Sequence, residues 1–134
     1  WLGRGPHENY PDRKLSADLG AWSCDRQAMQ TPYIFPSDNG LRCDVREAVI
    51  GAVCIERIEV LAFAISDYGV ESLMRGQHTF ECVEQSALHV HVDGYHMGVG
   101  GDDSWTPSVR PEYLLNAETY RWGCRLSVAH DDEG

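Results

Sequence analysis

The chain has 134 residues, with 11 basic against 21 acidic side chains and a net charge of −10. That is one compact domain's worth of core. The acidity argues against nucleic acid, whose phosphates call for a basic face, and against docking on an anionic membrane. No apolar run approaches the roughly 20 residues of a membrane span; the longest, residues 60–65, is strand-sized.

The first forty residues are dense in turn formers, among them Gly3, Gly5, Pro6, Asn9, Pro11, Asp12, Gly20, Pro32, Pro36, Asn39 and Gly40. They predict long loops with short strands, with weak support for a helix over 15–19. Residues 41–49 read as a strand. Residues 54–65 read as one long strand, with Leu61, Phe63 and Ile65 on one face and Ile58, Val60 and Ala62 on the other. Apolar residues on both faces mean a strand covered on both sides. Asp67 is placed to cap a short helix over 70–75 that Gly76 stops.

Two later segments alternate with period two. Leu88, Val90 and Val92 oppose His89, His91 and Asp93; Tyr120, Trp122, Cys124, Leu126 and Val128 oppose Arg121, Arg125 and Ser127. Such alternation marks half-buried strands with one wet face. Short strands between turns predict a single all-β domain over 1–134, an antiparallel β-sandwich with at most a short helix. The acidic tail, 130–134, is expected to fray.

The five cysteines, Cys24, Cys43, Cys54, Cys82 and Cys124, are odd in number and show no C-x-x-C spacing. They read as thiols in a reducing compartment, used as small apolar side chains. The opening Trp1-Leu2-Gly3-Arg4 carries neither a start methionine nor a signal peptide, so a trimmed or partial chain is expected.

The most unusual stretch is the glycine-rich loop over 94–105, GYHMGVGGDDSW. It lacks the G-x-G-x-x-G pattern and the following helix of a dinucleotide site. His89, His91 and His96 with Asp93, Asp102 or Asp103 are metal-ligand types, but two histidines on a wet strand face are the plainer reading. Asp102 and Asp103 read as turn-fixing acids, and Ser104 lacks a nucleophile-elbow context. Trp105 follows this polar loop outside any clear core face. An indole there is either core or a stacking platform for a sugar, with the neighbouring acids taking hydroxyls.

Three blocks carry a family resemblance: WLGRGPHENYPDR at 1–13, TPYIFPSDNGLR at 31–42, and the glycine-rich loop through Trp105-Thr106-Pro107-Ser108-Val109 to Glu112-Tyr113. In order and spacing the chain resembles the C-terminal part of bacterial β-galactosidases of glycoside hydrolase family two. The resemblance implies half of a large C-terminal β-sandwich, cytoplasmic, in an oligomer. Its partners would be a β-galactoside sugar and the remaining domains or a catalytic subunit. Family members are retaining enzymes with two glutamates on a TIM barrel. No barrel motif exists here, so no catalytic residue carries over and the chain alone should be inactive. The magnesium and sodium of the complete enzyme would also lie elsewhere, leaving this chain with neither metal nor cofactor. What does carry over is Trp105, which by motif match stacks on the sugar, chiefly on its aglycone side, with Asp103 and Ser104 as substrate-binding neighbours.

Glu8, Asp12 and Arg13 are expected to form a buried ion network pinning a loop. Asp38 stands where the family has Glu, and His89, His91, the cysteines and the acidic end are departures. A stand-alone carbohydrate-binding module and a purely structural assembly domain are the alternative readings. Half a sandwich would leave sheet edges and apolar faces uncovered.

Overall fold

A computed structural model describes residues 1–100, 106 and 108–128. The chain is all-β and two-layered. Five strands, β1 (Leu2–Gly5), β2 (Asp18–Ala21), β3 (Glu47–Ile50), β4 (Val53–Arg57) and β7 (Cys124–Val128), form an antiparallel sheet in the order β2-β1-β3-β4-β7. The other layer is the antiparallel pair β5 (Ala62–Ser66) and β6 (His89–Asp93). Among the described residues one helix, α1 (Val70–Arg75), and three single 3-10 turns complete the elements.

The long strand expected over 54–65 is two strands, one in each layer. The chain leaves β4 at Arg57, passes through exposed Ile58 and Val60, and starts β5 at Ala62. What survives from the pattern is the covering of both faces of β5. Phe63 packs with Met29, Val45, Ala48, Ile55 and Leu61 between the layers, while Ala62 packs with Tyr10, Leu41 and Cys43 behind it. The strand expected over 41–49 is likewise shorter. Asp44 has a φ of 54°, a left-handed conformation that extended pairing does not admit, so β3 begins only at Glu47. Upstream, Arg42 makes an isolated bridge with Phe63.

No helix forms over 15–19; β2 begins at Asp18 instead. Five residues are too few to repay helix nucleation, and Leu15 is 99% exposed, with nothing to pack on. The carbonyls of Lys14 and Ala17 are taken by the Arg4 guanidinium, whose Nε donates to Asp44 Oδ2 at 2.6 Å. Lys14 Nζ reaches the same carboxylate at 3.0 Å. Burial works against the Asp44 charge, but the two cations outweigh it and hold the carboxyl below its usual range.

Helix α1 spans the expected residues and ends at Gly76, whose N–H donates to the Ser72 carbonyl. Its N-cap is Gly69, not Asp67. The Asp67 carboxylate is engaged by Arg26 Nε instead. All five cysteines carry free thiols. Burial, then the nearby Asp44 carboxylate, pushes the Cys43 thiol up to about 12.

Strand β7 corrects a further expectation. Its Cys124, Leu126 and Val128 pair with Arg57, Ile55 and Val53 and so continue the inner face of the large sheet. Ile55 is covered by the β5–β6 pair, but Leu126 and Val128 are 64% and 60% exposed. Among the described residues the second layer has two strands against five, so the inner face at the β7 edge lies beyond its cover.

Candidate functional site

The site is built where β6 runs into the glycine-rich loop. At Gly94 the loop passes under the Trp122 indole: a Cβ there would sit 1.9 Å from Trp122 Cδ1. The indole is fixed by its Nε1–H, which donates to the Val60 carbonyl at 2.7 Å. Tyr95 stacks edge-on against Tyr120 and donates its hydroxyl to the Arg121 carbonyl. Only glycine fits at position 94, and every bulky neighbour is itself held.

His96 comes next and is mostly buried. Its Nε2 lies 2.9 Å from Asp38 Oδ2 and its Nδ1 lies 2.6 Å from the Met97 carbonyl. Both ring nitrogens face acceptors, so the doubly protonated imidazolium satisfies both. Accordingly the hydrogen bond to Asp38 raises the His96 pKa, against burial, and the same bond lowers that of Asp38. The ring leans on Tyr10 at 5.5 Å.

Beside this pair an open cavity of about 560 Å³ is lined by Asp38, His91, Asp93, Tyr95, His96 and Met97, among others. Burial, then the Asp38 charge, pushes the Asp93 carboxyl up. The wet strand face expected for His89, His91 and Asp93 is thus half-buried wall. His89 serves elsewhere, with its Nε2 at 2.9 Å from Gln85 Oε1. Among the described residues no three His, Cys, Asp or Glu side chains are arranged to hold a metal ion.

The first block does not form the expected ion network of Glu8, Asp12 and Arg13. Glu8 accepts from the Tyr10 hydroxyl at 2.8 Å, from the Tyr33 hydroxyl, and from the Gly40 N–H at 2.9 Å. Burial opposes its charge, but the bonds from Tyr33, Gly40 and Tyr10, with the Arg42 field, win and keep its pKa low. Burial and the Glu8 bond push Tyr33 up to about 12. A carboxylate whose oxygens are occupied in this way is an anchor and a poor proton donor.

Asp12 takes a different path. Its two oxygens accept the Val99 N–H at 3.0 Å and the Gly100 N–H at 2.7 Å. Arg13 is exposed, and its backbone closes a tight bridge with Tyr10. The structure therefore brings Asp12, His96 and Asp38 to the stem of the loop, as sequence reading did not foresee. The only signal was that all three lie in the blocks that carry the family resemblance. Trp105, Asp103 and Ser104, with Asp102, lie outside the described residues.

The family model described as "Beta galactosidase small chain" matches residues 1–126. The chain is 49% identical over 126 residues to a β-galactosidase of Aeromonas hydrophila, covering 94% of this chain and 12% of the relative. It is 49% identical over 122 residues to that of Psychromonas ingrahamii, covering 91% and 12%. The Vibrio cholerae β-galactosidase is 46% identical over 128 residues, covering 96% and 12%. The chain thus spans about one eighth of the length of these relatives.

Proposed function

Because this chain belongs to the β-galactosidase small-chain family, we propose that it is the accessory C-terminal segment of a retaining enzyme that hydrolyses terminal β-D-galactosides such as lactose. The catalytic glutamates sit on a barrel outside it. The observation that carries this reading is sequence identity near one half along nearly the whole chain, at 12% of the relatives' length. The shape of the segment agrees with it: exposed Leu126 and Val128 on an inner sheet face call for cover from elsewhere. The rest of the parent protein, in an oligomer working in the cytoplasm, would supply that cover. Magnesium and sodium would be held by the remaining domains.

Within this reading Trp105 stacks on the sugar at the active-site mouth, with Asp103 and Ser104 beside it. The galactoside offers C–H faces to the indole and hydroxyls to the acid and the serine.

The test is hydrolysis of a chromogenic β-galactoside, first by this chain alone, then by the chain mixed with a β-galactosidase that lacks the segment. Silence alone and activity on mixing are expected. Activity from the chain alone overturns the placement of catalysis, and silence in both tubes overturns the accessory role. In the complete enzyme Trp105→Ala should weaken substrate or acceptor binding by on the order of 1–3 kcal/mol, by analogy with other aromatic platforms. The loss appears as a raised KM more than as a lowered kcat. An unchanged KM for lactose removes Trp105 from the site.

A further inference from the structure

We propose that Asp12 is a positioning residue for substrate binding: its carboxylate clamps the stem of the glycine-rich loop and so sets where Trp105 is presented. This rests on the reading of Trp105 given above. The clamp is bidentate, with Oδ1 on the Val99 N–H at 3.0 Å and Oδ2 on the Gly100 N–H at 2.7 Å. Adjacent amides pointing at one carboxylate fix both the direction and the twist of the backbone at that point. From Gly100 the sequence continues Gly101-Asp102-Asp103-Ser104-Trp105. The fixed point therefore lies five residues before the indole.

The loop is shaped to receive this carboxylate. A Cβ at Gly98 would lie 2.7 Å from Asp12 Oδ2 and 2.8 Å from Tyr113 Cβ, so only glycine allows the acid and the tyrosine to close on the loop together. The Gly98 N–H donates to the Tyr113 carbonyl at 2.9 Å. Asp12 is held in turn, since the backbones of Tyr10 and Arg13 close a turn around it and the Tyr10 hydroxyl is bound to Glu8. Two residues upstream of Gly98, His96 is tied to Asp38. The three blocks that carry the family resemblance thus meet at one place: Asp12 from the first, Asp38 from the second and Tyr113 from the third each grip the loop between His96 and Gly100.

Only an ionised carboxylate offers two acceptor oxygens at this spacing. The amide of Asn keeps one acceptor and turns an N–H₂ toward the second N–H. Asp12→Asn is therefore near-isosteric but breaks half of the clamp. Gly98→Ala displaces the acid from the other side while leaving Asp12 in place.

The experiment uses the full-length enzyme carrying this segment, as wild type, Asp12→Asn, Gly98→Ala, Trp105→Ala and the Asp12→Asn/Trp105→Ala double variant. KM and kcat are measured for an aryl β-galactoside, and hydrogen exchange for the Val99 and Gly100 amides. Both clamp variants should lose protection at these two amides. Both should raise KM on the order of tenfold, with kcat nearly unchanged. A tenfold change is about 1.4 kcal/mol. Asp12→Asn should add nothing to KM in the Trp105→Ala background, because the clamp acts through the indole. Normal protection at both amides, a KM that stays put while Trp105→Ala raises it, or additive effects in the double variant each overturn the positioning role. Should Trp105→Ala itself leave KM unchanged, it is the underlying reading of Trp105 that fails, and the role of Asp12 falls with it.

Discussion

Phe63→Ala should cost about 3–5 kcal/mol of stability, the range for removing a buried phenyl ring. Phe63 is among the largest fully enclosed side chains of the fold. It lies between the layers with Ala48 and Ile55 beneath it and meets the Trp1 indole edge-on at 5.9 Å. Its own backbone pairs with Val92 on one side and with Arg42 on the other. Among the described residues the second layer has two strands, and Phe63 is the largest side chain that its β5 places between the layers. The effect should also reach function, because β6, which pairs with β5, is the strand that delivers the glycine-rich loop. In the full-length enzyme, hydrogen exchange should accelerate at β5 and β6 amides, and the midpoint for loss of galactosidase activity in urea should fall. Phe63→Leu, which keeps most of the apolar volume, should lose far less. Equal loss in both variants would mean that the ring itself, edge-on against Trp1, and not apolar volume, joins the layers.

The contrast between β5 and β7 explains what periodicity could and could not reveal. Apolar residues on both sides of residues 61–65 announced a strand with two covered faces, and both covers are present. The period-two alternation at 120–128 announced one covered face, and its cover is not part of this layer pair. Alternation reports that a face is made to be buried, not by which segment. The break between β4 and β5 was hidden for a related reason: Ile58 and Val60 are as apolar as strand residues, so nothing in residue type marks the crossing between sheets. At Asp44 the signal was equally faint, because an acidic residue in the left-handed region looks in sequence like any polar position of a strand.

The site was legible in outline only. The glycine-rich loop stood out by composition, and the resemblance supplied a reason to look at Trp105. The loop's supports were illegible, because Asp12, Asp38 and His96 are separated by 26 and 58 positions and meet only through the fold. Even the types were misleading. Glu8, Asp12 and Arg13 invited an ion network, whereas the acids found amides and hydroxyls, which satisfy a carboxylate without burying a cation beside it. His96 was grouped with His89 and His91 as a ligand type. The fold divides the three among separate tasks.

Glu8→Ala carries the second large expected effect, about 3 kcal/mol or more, because three donors lose their acceptor at once. The Tyr10 and Tyr33 hydroxyls and the Gly40 N–H all converge on its two oxygens. Together these bonds fasten the second sequence block to the first, just beneath the ring of His96. Glu8→Gln should cost less, since one carbonyl oxygen remains to accept. Its amide group turns donors toward groups that are themselves donors.

The pH dependence follows from the direction of the shift. The folded-state pKa of Glu8 lies below the ordinary carboxylate value of about 4.5. Its contribution is therefore fully present above about 4.5 and fades as pH falls through the depressed folded value. Asp44, whose folded pKa also lies below the ordinary aspartate value of about 3.8, acts in the same sense at slightly lower pH. In urea unfolding of the complete enzyme, the wild type should thus lose its advantage over Glu8→Gln as pH is lowered from neutrality toward 3. An advantage that stays constant across that range would show that Glu8 acts through shape alone and that its charge is not what the two tyrosines and Gly40 hold.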